Sequence, residues 1–169
     1  EKELVSIGKE ENKLISEMRE QAKQIHPLIM PELTKIFGEY EVFSVEEQLY
    51  QNIKDGEVPY KFKGFIDLVI RTEDGKFHII DWKTCSWGWD AKKESDKFIT
   101  YQLTLYKKFW CEKYEVDPKL VETHFALLKR TAKKNNVEIF RVTSGPRKVE
   151  NATKLLTTAL IHISKGNHV

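Results

Sequence analysis

One stretch constrains this chain more than any other: Gly64 to Thr84, GFIDLVIRTEDGKFHIIDWKT. Two apolar, β-branched runs, Phe62–Ile70 and Phe77–Thr84, flank a short polar segment holding the turn pair Asp74-Gly75. That pattern predicts a β-hairpin. Each run is apolar at nearly every position, as in strands covered on both faces. Three ionisable residues interrupt them: Asp67, Asp81 and Lys83. Asp81 and Lys83 are two apart, so a strand points both to one face. With Ile70 opposite His78, a one-for-one antiparallel register sets Asp67 opposite Asp81. Cross-strand β-carbons are then roughly 4.5–5.5 Å apart, where like charges destabilise a sheet. A divalent cation between them, with Lys83 alongside, would remove that cost. The competing explanation is a wetted edge, where Asp and Lys serve only solubility. The apolar flanks speak against an edge, and buried carboxylates need partners. A turn one residue longer or shorter would instead put Asp67 opposite Ile80.

The rest of the chain supplies a frame for that hairpin. At 169 residues it is expected to form one domain with a proper core. Apolar Leu4, Ile7, Leu14, Met18 and Ile25 predict an amphipathic first helix over residues 1–26, ended at His26-Pro27. Pro31 can open a second, short helix to Phe37, stopped by Gly38. Glu41–Ile53 is predicted as the first strand, and Asn52–Pro59 as a polar loop. Ser95 or Asp96 can cap a helix from Lys97 to about Tyr114. Strands are predicted over Val121–Arg130 and Val137–Thr143. Val149, Ala152, Leu156, Leu160 and Ile163 mark a last helix, stopped by Gly166. The predicted class is α/β (α+β), a mixed sheet of about five strands flanked by helices.

Composition excludes several roles. A net charge of +2 is too small to argue by itself for nucleic acid. Clusters such as Lys61/Lys63, Lys92-Lys93, Lys107-Lys108, Lys129-Arg130 and Arg147-Lys148 would attract phosphates if gathered on one side. Two cysteines, Cys85 and Cys111, are too few for a zinc or iron–sulfur ligand set. Nothing calls for an oxidising compartment, so an intracellular setting is expected. No apolar stretch nears the ~20 residues that span a membrane, and no signal peptide is visible. The chain starts at Glu1 without methionine, compatible with a piece of something longer. Trp87 and Trp89, around Gly88, either cap the core or stack on bases.

Asp67, then thirteen intervening residues, then Asp81-Trp82-Lys83 resembles the pattern of the PD-(D/E)XK nuclease superfamily. The longer set, GFIDLVI, then FHIIDWKT, then Gln102 to Tyr106, resembles its RecB-like branch. That branch joins a G-x-x-D strand, a D-x-K-T strand and a Q-x-x-x-Y helix. The wording of residues 80–84 is also similar to mitochondrial genome maintenance and phage recombination exonucleases. By motif the resemblance covers about residues 40–110. It implies a restriction-endonuclease-like fold and a metal-dependent deoxyribonuclease, an exonuclease of DNA recombination, repair or phage replication. The alternative is a non-catalytic DNA-binding module that kept the nuclease fold; a third possibility is a scaffold without nucleic acid.

Phosphodiester hydrolysis needs an activated water and relief of charge on the phosphorane, which Mg2+ or Mn2+ supplies. Asp67, Asp81 and the Trp82 carbonyl would be its ligands, with Asp67, Asp81 and Lys83 the catalytic set. Lys83 would orient the water or stabilise transition-state charge. Gln102 and Tyr106, neighbours on a helix, would contact DNA or steady Lys83, and Thr84 is a candidate phosphate contact. Implied partners are DNA and other domains or subunits of a repair complex, with no membrane. The setting would be cytoplasm, or host cytoplasm for a phage protein. The family also carries a His or Glu metal ligand on its first helix. His26 is the only histidine there; Glu20, Glu32 and Glu47 are alternatives, or the residue precedes Glu1. Val45-Glu46-Glu47 resembles the family's first-strand glutamate.

Overall fold

A computed structural model describes residues 9–54 and 60–166, with side chains from Lys13 onward. Leu4, Ile7 and the Asp55-Gly56 pair lie outside the described residues. The elements run α1 (Lys9–Phe37), β1 (Tyr40–Asn52), β2 (Lys61–Thr72), β3 (Phe77–Cys85), α2 (Ala91–Ser95), α3 (Lys97–Tyr114), β4 (Val121–Lys129), β5 (Val137–Val142) and α4 (Pro146–Ser164). A short 3-10 turn, Pro118–Leu120, leads into β4. The five strands form one sheet in the order β1-β2-β3-β4-β5. All neighbours are antiparallel except β3 and β4, which are parallel and joined by a crossover through α2 and α3. This is the expected mixed sheet flanked by helices, a restriction-endonuclease-like α/β fold.

Each face of the sheet has its own core. On one, Leu103, Phe109 and Trp110 of α3 pack on Ile66, Val69, Ile79 and Phe125, with α4 alongside. On the other, Leu33 of α1 packs on Leu68, Ile70, Ile80 and Ala126, flanked by Ile29 and Phe37. Asp96 begins α3 by accepting the Phe98 N–H, and Glu115 ends it in the left-handed conformation (φ 55°).

Contrary to the expected break at His26-Pro27, α1 is a single helix with Pro27 and Pro31 inside it. The reason lies in its inward stripe. Ile25, Ile29, Leu33 and Phe37 recur every four residues, and Ile25 and Leu33 are buried. Each interior proline costs about 3 kcal/mol, whereas burying each apolar anchor returns about 1.5–3 kcal/mol. Both prolines are exposed, so the carbonyls they deprive of a donor can turn to water. His26 therefore sits within the helix rather than at its end.

Candidate functional site

The hairpin register is the one anticipated from the turn: Leu68 pairs Ile80, Ile70 pairs His78 and Arg71 pairs Phe77. The pairing stops at Leu68↔Ile80, one step short of Asp67 and Asp81. Two further irregularities meet there. Inward positions of β2 slip phase, since Ile66 and Val69 both join the α3-side core while Leu68 and Ile70 join the other. On β1, Glu46 falls between the pairs Val45↔Leu68 and Glu47↔Ile66, opposite Asp67, with a left-handed φ of 48°. A non-glycine residue in that region marks local strain. The sheet thus forks at Asp67.

Side-chain chemistry fills the fork. Trp82 donates its backbone N–H to Asp67 Oδ2 at 2.7 Å, so a carboxylate replaces the missing strand partner. In an extended strand a residue's N–H and C=O point to the same edge, so the Trp82 carbonyl also faces the gap. The Trp82 side chain goes to the α1-side core. Asp81 and Lys83 take the other face with Phe125, whose ring lies 5.8 Å from Lys83 Nζ.

Asp81 is 3% exposed. Its Oδ2 lies 2.6 Å from Lys83 Nζ, so the ammonium is its charge partner. Burial, with the added charge of Asp67, pushes the Asp81 carboxyl above its usual range; the Lys83 ammonium offsets part of the rise. A buried carboxylate whose charge is so disfavoured, beside a second acid and a carbonyl edge, fits an all-oxygen cation site.

Gln102 and Tyr106 form a pair: Gln102 Nε2 donates to the Tyr106 hydroxyl at 3.0 Å. Neither is hydrogen-bonded to Lys83 among the described residues. The Tyr106 ring lies against Gly64, which ties the G-x-x-D strand to the Q-x-x-x-Y helix. Thr84 is exposed and on the opposite face of β3 from Lys83, beside α1. It shares an apolar cavity of about 280 Å³ with Ile25, His26 and Arg130.

The first-helix candidates separate. Glu20 is paired with Lys23 and Glu32 with Lys35, both on the surface of α1. Glu47 is buried on the α3 side, taking hydrogen bonds from Ser44, Trp110 Nε1 and Lys113. His26 is exposed on α1 at the rim of that apolar cavity, and no hydrogen bond to it is found among the described residues. Glu46, at the strained position opposite Asp67, is the residue that sequence pattern did not separate from its neighbour.

The tryptophans also divide. Trp89 packs on Phe125 and Phe140, whereas Trp87 is 71% exposed. A cavity of about 960 Å³ lies elsewhere, between α3, α4 and the end of β5. Among the described residues, no helix is long and apolar enough to cross a membrane.

The sequence profile of the PD-(D/E)XK nuclease superfamily matches residues 4–168. Comparison with curated proteins gives no match. Among solved structures, the chain is similar to a protein from Eubacterium rectale named as a candidate exonuclease. Identity is 14% and the TM-score 0.55, covering 89% of this chain and 55% of that one. It is also similar to SSO0001, at 18% identity and a TM-score of 0.50, covering 86% of this chain and 67% of that one. This chain thus spans about half the length of the Eubacterium rectale protein. At such identities the likeness establishes a shared fold.

Proposed function

This chain belongs to the PD-(D/E)XK nuclease superfamily, and on that premise we propose that it is a divalent-metal-dependent deoxyribonuclease, an exonuclease of the RecB-like branch. Its work would lie in DNA recombination, repair or phage replication, inside the cell. Residues 1–169 would form one nuclease domain, acting alone or with other domains or subunits. The observation that carries this reading is the fork, where Asp67 and Asp81 lie just beyond the last strand pair, Asp67 on the Trp82 amide and Lys83 on Asp81.

Asp67, Asp81 and the Trp82 carbonyl would hold one Mg2+ or Mn2+. When bound, such an ion supplies charge stabilisation at the phosphate and lowers the pKa of a coordinated water. Lys83 keeps its ammonium at the fork through Asp81, positioned to orient the attacking water and to face the charge that builds on the phosphorane. Gln102 and Tyr106 hold one another in place and present an amide and a phenol to the DNA. Thr84 is a phosphate contact for a strand passing on the α1 side.

The test is digestion of end-labelled linear and covalently closed circular DNA in Mg2+ or Mn2+. Wild-type protein should degrade linear DNA, stop in EDTA, and lose at least about 100-fold in rate as Asp81→Ala or Lys83→Ala. Cutting that persists without metal, or in Asp81→Ala, would refute the assignment. DNA retained without cutting in either metal would favour the non-catalytic binding module.

A further inference from the structure

At the other end of β3, on the face away from Asp81, stands a second cluster of ligand-type side chains. In the parallel register of β3 and β4, His78 is opposite Glu122, and His124 is two residues further along β4. His78 Nδ1 and His124 Nε2 are 3.1 Å apart. Glu122 Oε2 lies 3.9 Å from the first and 4.0 Å from the second. All three atoms thus face one small volume, roofed by the Phe37 ring at the end of α1. Tetrahedral coordination at about 2.0–2.1 Å separates neighbouring ligand atoms by about 3.3–3.4 Å. The two nitrogens are already near that spacing, and a small rotation of Glu122 brings the carboxylate in.

The surroundings are ordered as they are around metal ligands. Thr72 Oγ1 donates to Asp74 and is therefore free to accept from His78 Nε2 at 3.2 Å. This holds the His78 proton on Nε2 and leaves the Nδ1 lone pair facing the cluster. Arg141 holds Glu122 by its other oxygen, Oε1, at 3.3 Å, leaving Oε2 turned inward. Such outer partners fix tautomer and orientation of ligands. A cavity of about 350 Å³ opens onto His78 between Phe37, Gly38 and Thr72, rimmed by Glu39, Glu73 and Asp74. That gives a cation an acidic route in.

We propose that His78, Glu122 and His124 form a binding site for a borderline divalent transition metal of the zinc class, with a water as fourth ligand. Two imidazoles and one carboxylate select such an ion over Mg2+, which prefers all-oxygen octahedra. His124 would bind through Nε2 with its proton on Nδ1, a change of tautomer without net charge. The ion would tie β3 to β4 under the end of α1, independently of the nuclease assignment.

The probe is Co2+, followed by its visible d–d absorption, with Zn2+ as competitor. The variants are Asp81→Asn, Glu122→Gln and His124→Gln, with circular dichroism to confirm folding. Wild type and Asp81→Asn should each show the intense tetrahedral-type absorption of one Co2+ at this site, displaced by Zn2+. Glu122→Gln and His124→Gln should weaken binding by at least about 100-fold. In the Asp81→Asn background Zn2+ should raise the melting temperature, and adding Glu122→Gln should abolish that rise. Glu122 is partly exposed, so its variant carries the test if His124→Gln fails to fold. No such absorption in wild type at about 1 mM Co2+, or absorption retained in Glu122→Gln or lost in Asp81→Asn, would overturn the proposal.

Discussion

The ring of Tyr106 stands so close to Gly64 that a β-carbon there would lie 2.7 Å from its Cε1 and 3.2 Å from Phe62 Cε1. Tyr106 is 7% exposed and wedged against Phe62, so it cannot swing clear. Gly64→Ala should destabilise the protein by about 1–3 kcal/mol through overpacking. Denaturant titration would show a lower midpoint at unchanged slope. Gly64→Ala combined with Tyr106→Leu should cost less than the sum of the two; full additivity would mean the contact is not the cause.

Asp81 is held where its charge is unwelcome. Its carboxyl is raised above the usual range by burial and by Asp67. The folded state therefore prefers the protonated acid, and above that range the ionised form subtracts from stability. Asp81→Asn should melt no lower than wild type in EDTA while losing cleavage. Mg2+ or Mn2+ should raise the melting temperature of wild type alone. A marked fall in the metal-free melting temperature of Asp81→Asn would refute this.

Glu47 behaves in the opposite sense. Burial alone would raise its carboxyl, but hydrogen bonds from Lys113 and Ser44 and the Lys113 charge bring it below its ordinary 4.5. Its stabilisation is full above that value and is lost as pH falls through the lowered one. Glu47→Gln should cost about 1–3 kcal/mol at pH 7, and the gap from wild type should close as pH falls through the lowered value. Urea titrations across that range would measure it; a gap that widens in acid would contradict the sign.

The two loop tryptophans should separate cleanly. Trp89→Ala removes an aromatic partner of Phe125 and Phe140 and should cost about 2–4 kcal/mol. Trp87→Ala, at an exposed ring, should change stability by less than about 0.5 kcal/mol. If Trp87 stacks on a base, the same change weakens single-stranded DNA binding by about 5–100-fold. Fluorescence anisotropy with a labelled oligonucleotide would decide it.

Much of this was legible because local chemistry and tertiary packing agree. Asp74-Gly75 between two apolar runs sets a register that the sheet keeps through Arg71↔Phe77. Asp96 and the apolar stripe through Trp110 set α3 from Lys97 to Tyr114. Where packing overrides propensity the reading failed, as at Pro27 and Pro31, which the stripe from Ile25 to Phe37 outweighs. The five-residue α2 is too short to show a period. Trp87 and Trp89 straddle Gly88, whose φ of 129° turns them apart in a way no spacing reveals. The phase slip at Asp67 was hidden, because it depends on where pairing ends. The His78, Glu122 and His124 cluster was hidden too, since it exists only once β3 and β4 are aligned in parallel.

Because the Trp82 amide rests on the Asp67 carboxylate, position 67 serves architecture and ligand capture with one functional group. Truncating it to alanine would strand a main-chain donor while also removing a charge, so a dead Asp67→Ala protein reports on two losses at once. An inactive form intended to trap DNA intact is better made at Asp81 or Lys83, whose side chains support no backbone group.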